Sequence, residues 1–296
     1  MTRHFLEIDD LTADELAAVL DLAQEQHPAK VLEGRGVALI FEKPSLRTRN
    51  ATEVAVFELG GHPLTLRGEE VGLAEREPVA DVAKVLSRYH AAICARVFEH
   101  HKLDELAASA SVPVVNLLSD DSHPCQALAD LLTLHQQFGK LEGLEVAYVG
   151  DFNNVSRSLA LAGALTGVNV RLGCPAGYGP SDEDLDRIRL AGGEPLVTTR
   201  PAEAVDGADA VYTDVWTSMG QEAEARARHK AFEGFMVDAD LMTNAASHAV
   251  FLHCLPAHRG EEVAAEVVDG RQSIVWQQAE NRLHAVRGLF LWLFGG

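Results

Sequence analysis

The chain has no apolar run long enough to cross a bilayer, and its opening, Met1-Thr2-Arg3-His4, does not read as a secretory signal. A membrane-spanning role and export are therefore not expected. Cysteine is scarce: Cys94, Cys125, Cys174 and Cys254 are all there is, with no Cys-x-x-Cys pair among them. That argues against a zinc ribbon or a disulfide framework and fits a reducing cytoplasm. Positive charge is also short. Lys and Arg number 25 against 44 Asp and Glu, a formal net charge of -19. Such a surface repels nucleic acid and anionic membranes, so neither is an expected partner. It serves solubility, and it would also suit a cationic substrate. There is no Gly-rich Walker loop, no Gly-x-Gly-x-x-Gly, no short repeat and no low-complexity segment. A nucleoside triphosphate and a nicotinamide dinucleotide are both disfavoured.

What is present is a 296-residue chain, 47% hydrophobic, with enough apolar content for two cores of ordinary size. Thr12 and Glu15 form a capping-box pattern that opens a helix over 13–26. Residues 36–41 read as a buried strand, 45–59 as a helix stopped by Gly60-Gly61, 62–66 as extended and 79–89 as a helix. Short strands follow at 91–95 and 112–117, then a long helix over 124–138 with Pro124 in its first turn. The polar break Gly139-Lys-Leu-Glu-Gly143 is the expected domain boundary. The pattern restarts with strands at 145–149, 168–172, 208–212 and 249–252, helices at 154–165 and 182–190, and an apolar helix over 279–294. Strand-helix alternation predicts an α/β protein of two doubly wound parallel-sheet domains in series. The expected division is 1–138 plus the C-terminal helix 279–296, packing back on the first domain, and 139–278.

Polar clusters stand where the apolar runs end, as a ligand crevice at a sheet edge requires. After the first strand comes Ser45-Leu46-Arg47-Thr48-Arg49. Unpaired N–H groups at a helix start, two hydroxyls and a guanidinium suit a phosphate. Taken alone, the segment reads equally as an N-cap serine with surface arginines. Ser122-His123-Pro124-Cys125-Gln126 offers a donor for a carbonyl oxygen and an amide to read a carbamoyl group, or simply a helix start with a half-buried histidine. Asn153 and Asn154, at a strand-turn-helix junction, suit a carboxylate or amide ligand. Asp214 with Ser218 can hold an amino group, although Asp214 is also a plausible N-cap. Cys254, in His253-Cys-Leu-Pro256, reads either as a reactive thiol or as a small buried residue. Pro256 fixes the turn, which could aim the Leu255 carbonyl at an NH2 group.

Together, Ser45-x-Arg47-Thr48-Arg49, His123-Pro-Cys-Gln126, Asn153-Asn154, Asp214-x-x-x-Ser218-Met219-Gly220, His253-Cys-Leu-Pro256 and Glu280-Asn281-Arg282 occur in the order found in carbamoyltransferases. The chain resembles the aspartate/ornithine carbamoyltransferase family over nearly its full length, and its cysteine-bearing proline turn resembles the ornithine branch. The resemblance implies transfer of a carbamoyl group from carbamoyl phosphate to L-ornithine, a step of arginine metabolism, with no metal and no organic cofactor. It implies that Ser45, the Leu46 N–H, Arg47 and Thr48 hold the phosphate. It gives Arg96 and His123 the carbamoyl oxygen, with Pro124 and Cys125 in the same segment. Gln126 and the Leu255 carbonyl would take the carbamoyl NH2, and Arg282 adds a positive contact. Asn154, Asp214, Ser218 and Met219 would bind ornithine, with Cys254 near the reacting amine; Arg96, His123 and Cys254 are the expected catalytic residues. A homotrimer, or a multiple of it, is implied as well. Leu46 stands where the family usually has threonine, and the stretch 69–76 has no clear match to a family loop that reaches the neighbouring subunit. Two rivals remain: a sister enzyme using another amine, and a non-catalytic relative that binds small anions or a partner.

Overall fold

A computed structural model describes residues 2–217 and 222–295. The chain forms two compact units. One runs to Leu132 and resumes at Glu280; the other is Thr133–Ala279.

The first unit begins with α1 (Ala13–Ala23), whose N-cap Thr12 and Glu15 make the expected capping box. There follow β1 (Gly36–Phe41), α2 (Leu46–Glu58), β2 (His62–Arg67), the one-turn α3 (Gly68–Val71), α4 (Val79–Tyr89), β3 (Ala92–Arg96), α5 (His101–Ser109), β4 (Val114–Leu118) and the start of α6 (Pro124–Phe138). The four strands are all parallel, in the order β2-β1-β3-β4. β3 is buried at every position and β1 at all but its first, which is why both read as unbroken apolar runs. Ala38 and Ile40 of β1 and Ile93 of β3 pack against Val82 and Leu86 of α4 and Leu103 and Leu106 of α5. Each such aliphatic side chain contributes roughly 1.5–3 kcal/mol on burial.

The second unit holds β5 (Glu145–Val149), α7 (Asn154–Thr166), β6 (Asn169–Gly173), α8 (Asp182–Leu190), β7 (Leu196–Thr198), α9 (Pro201–Val205), β8 (Ala210–Thr213), α10 (Ala225–Ala231), α11 (Ala239–Met242), β9 (Val250–His253), α12 (Ala265–Val268) and the start of α13 (Val275–Phe294). Its five strands are also parallel, ordered β7-β6-β5-β8-β9. The two expected doubly wound sheets are therefore present.

In each sheet the winding reverses once. The first reverses between β1 and β3, the second between β5 and β8. At such a point the loops leaving the two central strands diverge and open a crevice beyond the strand ends. The segments that leave β1, β5 and β8 are polar clusters singled out in the sequence, and the other two, at His123 and Cys254, follow the neighbouring strands β4 and β9.

The part of α13 from Glu280 onward belongs to the first unit, where Ala285, Val286, Leu289 and Phe290 are buried. Gly288 permits its close approach to α1: a Cβ there would stand 2.6 Å from the Val19 carbonyl oxygen and 2.7 Å from the Ala23 nitrogen. By packing, the chain changes unit within α6, after Leu132, about one and a half turns ahead of the polar break that follows Phe138. The end of α6 is held by second-unit partners. Gln277 donates to the Gln136 side chain at 3.0 Å, and the Phe138 and His248 rings meet edge-on. α1 ends at Ala23, short of the expected Gln26, and α13 begins at Val275, ahead of the expected Ala279. Among the described residues no helix is long and apolar enough to cross a membrane.

Candidate active site

In the first unit a buried group of polar side chains gathers beyond β1, β3 and β4. Ser45 caps α2, its Oγ accepting the Thr48 N–H at 3.2 Å. This cap leaves the N–H groups of the first turn pointing outward with partial positive charge. Thr48 is 2% exposed, and its hydroxyl is met by two guanidinium groups: Arg96 from the end of β3 at 3.4 Å and Arg282 from α13 at 3.0 Å. Arg282 also donates through Nη1 to Gln126 on α6. Arg47 is half-buried beside Thr48, whereas Arg49 turns away into an ion pair with Glu53 at 2.8 Å.

His123 precedes α6 and is buried. Burial holds its pKa well below the ordinary histidine value, and the charges of Arg282, Arg96 and Arg47 lower it further. The imidazole is therefore neutral at neutral pH and can act as a hydrogen-bond donor. Cys125 is buried on α6, its thiol donating to the Asn116 carbonyl oxygen at 3.3 Å, and burial pushes its pKa to about 12. It is structural packing, not a reactive thiol. Pro124 opens α6, where its missing N–H costs nothing.

Asp130 was not anticipated. It lies one turn beyond Gln126, fully buried, and its Oδ1 accepts the Gln126 amide at 2.7 Å. This fixes the orientation of the amide, with NH2 toward Asp130 and the oxygen toward Arg282. The signal was available as a lone carboxylate in the apolar run of α6. The Gln126 oxygen retains a second lone pair for an NH2 ligand.

The second unit builds a separate group at the ends of β5, β8 and β9. Asp214, buried just beyond β8, accepts from the Asn153 amide at 3.0 Å on one oxygen and from the Cys254 thiol at 2.9 Å on the other. Cys254 is the one cysteine of the four that is not buried. Asn153 is the N-cap of α7, its Oδ1 accepting the Val155 and Ser156 N–H groups. The asparagine pair thus divides: Asn153 is structural and orients Asp214, while Asn154 is the half-exposed first residue of α7. Tyr148, in the apolar run of β5, had no sequence signal. Its hydroxyl is 3.5 Å from Asn153 Oδ1, and burial, with Asp214 and Cys254 nearby, raises its pKa well above the usual phenol value. Ser218 and Met219 lie outside the described residues.

The turn after β9 is held from beneath. The Leu255 N–H donates to His253 Nδ1 at 2.8 Å, so His253 Nε2 carries the proton and donates to Glu262 Oε1 at 3.1 Å. Both side chains of that pair are fully buried. Gln278 accepts the His253 N–H at 2.9 Å. Leu255 has φ 60°, a left-handed backbone uncommon outside glycine, and its bond to Pro256 is cis. Arg228, nearly buried, pairs with Asp151 beyond β5 and donates to the Trp216 carbonyl oxygen, two residues past Asp214.

In the stretch 69–76, Gly72 ends α3 with φ 61° and Arg76 folds back, Nη1 donating to the Glu70 carbonyl oxygen at 3.4 Å.

Comparison with known proteins gives one consistent answer. Residues 3–136 match the family model for "Aspartate/ornithine carbamoyltransferase, carbamoyl-P binding domain", and residues 142–293 that for "Aspartate/ornithine carbamoyltransferase, Asp/Orn binding domain". A protein of Acidothermus cellulolyticus named ornithine carbamoyltransferase is 52% identical, covering 99% of this chain and 97% of the relative. The solved ornithine carbamoyltransferase of Pyrococcus furiosus superposes with a TM-score of 0.95 at 46% identity, covering 99% of this chain and 97% of the other. That of Thermus thermophilus gives 0.91 at 48% identity, covering 99% of each.

Proposed function

The chain belongs to the aspartate/ornithine carbamoyltransferase family, and on that premise we propose that it transfers the carbamoyl group of carbamoyl phosphate to the δ-amine of L-ornithine, giving L-citrulline and phosphate. The observation that carries this reading is the buried group of Thr48, Arg96, Gln126, Arg282 and neutral His123. Its donors are arranged for an anion joined to a carbonyl.

In this reading Ser45, the Leu46 N–H, Arg47 and Thr48 hold the phosphate at the start of α2, with Arg96 and Arg282 adding positive charge. When the amine attacks the carbonyl carbon, negative charge grows on the carbonyl oxygen. Arg96, His123 and Thr48 donate to that oxygen. Donors aimed at a developing oxyanion are typically worth about 2.7–4 kcal/mol each. The C–O bond to phosphate then breaks, the departing phosphate takes up the proton that the amine loses, and the arginines stabilise the resulting dianion. Gln126 and the Leu255 carbonyl accept from the carbamoyl NH2. Asn154, Asp214, Ser218 and Met219 hold the amino-acid end of ornithine, and Cys254, tied to Asp214, stands near the attacking amine without becoming a nucleophile. Support for ornithine over aspartate is the Asp214–Cys254 pair together with the names of the relatives.

The attacking amine must be neutral, and a lysine-like amine has a pKa of about 10.4. Neutral amine therefore grows up to tenfold per pH unit below that value. His123 is already neutral there and contributes no opposing change. With purified protein, citrulline and phosphate form one to one, and kcat/KM for ornithine rises between pH 7 and 9. A flat profile contradicts direct use of the neutral amine.

The same reading makes the protein a cytoplasmic homotrimer or a multiple of it. One face of the first unit supports a contact between copies. Leu46, Val54 and Phe57 of α2 and Leu64 of the edge strand β2 are exposed apolar side chains, with Leu46 and Phe57 76% and 73% exposed.

A further inference from the structure

On the second unit, three side chains with metal-ligating atoms, His258, Glu261 and Glu262, converge apart from the Asp214–Cys254 pair. His258 Nδ1 lies 3.9 Å from Glu261 Oε2 and 3.8 Å from Glu262 Oε2. His229 Nε2 approaches the same Glu261 oxygen at 3.6 Å. One ligand atom from each of His258, Glu261 and Glu262 lies within 4.8 Å of the other two. The side chains of His229, His258 and Glu261 are roughly half exposed and open to solvent; that of Glu262 is fully buried.

Glu262 distinguishes this group from an ordinary cluster of surface charges. Its Oε1 is occupied, accepting from His253 Nε2 and from the His258 N–H. Its Oε2 is buried and has no hydrogen-bond partner among the described residues. A buried carboxylate oxygen without a donor is costly, and such groups are normally satisfied. Here the oxygen faces the His258 ring at a distance too long for a hydrogen bond and right for a shared ligand.

We propose that His258, Glu261 and Glu262 form a three-ligand binding site for a divalent cation of the zinc class, with water completing the coordination. Four donors around zinc at about 2.0–2.1 Å stand roughly 3.3 Å from one another in a tetrahedron. His258 Nδ1 stands a few tenths of an ångström farther than that from each carboxylate oxygen, within reach of a small rotation of the exposed side chains. An imidazole nitrogen with two carboxylate oxygens suits zinc, cobalt or nickel, whereas magnesium and calcium favour all-oxygen shells. The site needs no part of the carbamoyl-transfer reading. Glu262 nevertheless joins the two: the carboxylate that would bind the cation also holds His253, and His253 holds the Leu255 N–H. A ligand carboxylate anchored in this way is oriented before the cation arrives.

A thiol-containing grouping, Asp214, His253 and Cys254, is the competing place for a soft cation. The test therefore uses metal-free, full-length protein carrying Cys254→Ser, titrated with Co2+ and followed by visible absorption. The expected result is saturable uptake of one equivalent, reversed by Zn2+, with a nitrogen–oxygen spectrum free of thiolate charge transfer. His258→Asn or Glu261→Gln in the same background weakens uptake at least tenfold; both positions are half exposed, and the variants fold. Absence of saturable binding by the Cys254→Ser protein, or binding left unchanged by both substitutions, overturns the proposal.

Discussion

Leu46 occupies the first turn of α2 with its side chain 76% exposed, so it neither fills nor blocks the proposed phosphate cradle. What it withholds is a hydroxyl. Leu46→Thr keeps the backbone N–H and adds one donor, worth ~0.5–1.5 kcal/mol for a single hydrogen bond. KM for carbamoyl phosphate should fall roughly 2–10-fold with kcat little changed; an unchanged KM would put that hydroxyl outside the reach of the phosphate. Residue types and their place at strand ends made Ser45, Thr48, His123 and Gln126 legible as donors, whereas Arg96 and Arg282 were reached only through the family resemblance. The four cysteines were not separable in that way. Burial distinguishes them: Cys94, Cys125 and Cys174 are enclosed, and Cys254 alone is accessible and bonded to Asp214. Asp130 and Glu262 act through other side chains, and a supporting carboxylate has no signature of its own in a sequence.

Among the elements, α10 is fixed by one nearly buried ion pair. Arg228 donates to Asp151 beyond β5, stacks near the Tyr178 and Phe232 rings, and holds the Trp216 carbonyl oxygen. Burial pushes the Asp151 carboxyl up, and Arg228 beside it pulls it back. Arg228→Met leaves that carboxylate without its partner, an error that commonly costs 3–5 kcal/mol, so about that loss is expected here. A thermal or urea melt should show it, together with a raised KM for ornithine, because the chain just after Asp214 loses its anchor. A stability within about 1 kcal/mol of the wild type would mean that the pair is weak. Long periodic elements were legible in the sequence: α4, α6, α8, β1 and β5 have the expected bounds. β7 and α9 were not, since three and five residues are too few to establish a period. The change of unit inside α6 was also hidden. Composition marks the polar break after Phe138, while packing assigns the last turn and more of that helix to the second unit.

For the whole molecule, an acidic chain with net charge -19 still leaves an apolar face on α2 and β2 exposed. In the proposed homotrimer that face would be buried between copies. Light scattering should give at least three times the 32.0 kDa chain mass. Phe57→Glu, a charge on that face, should dissociate the assembly and lower activity. A monomeric, fully active wild type would reject the oligomer. The most direct test of the central claim is product formation from carbamoyl phosphate with L-ornithine, run beside putrescine, lysine, N-acetylornithine and aspartate. The account predicts citrulline from ornithine at a kcat/KM far above that for every other amine. Turnover with another amine in preference would contradict the reading of the Asp214–Cys254 half-site, and no turnover with any of them would contradict the enzyme itself.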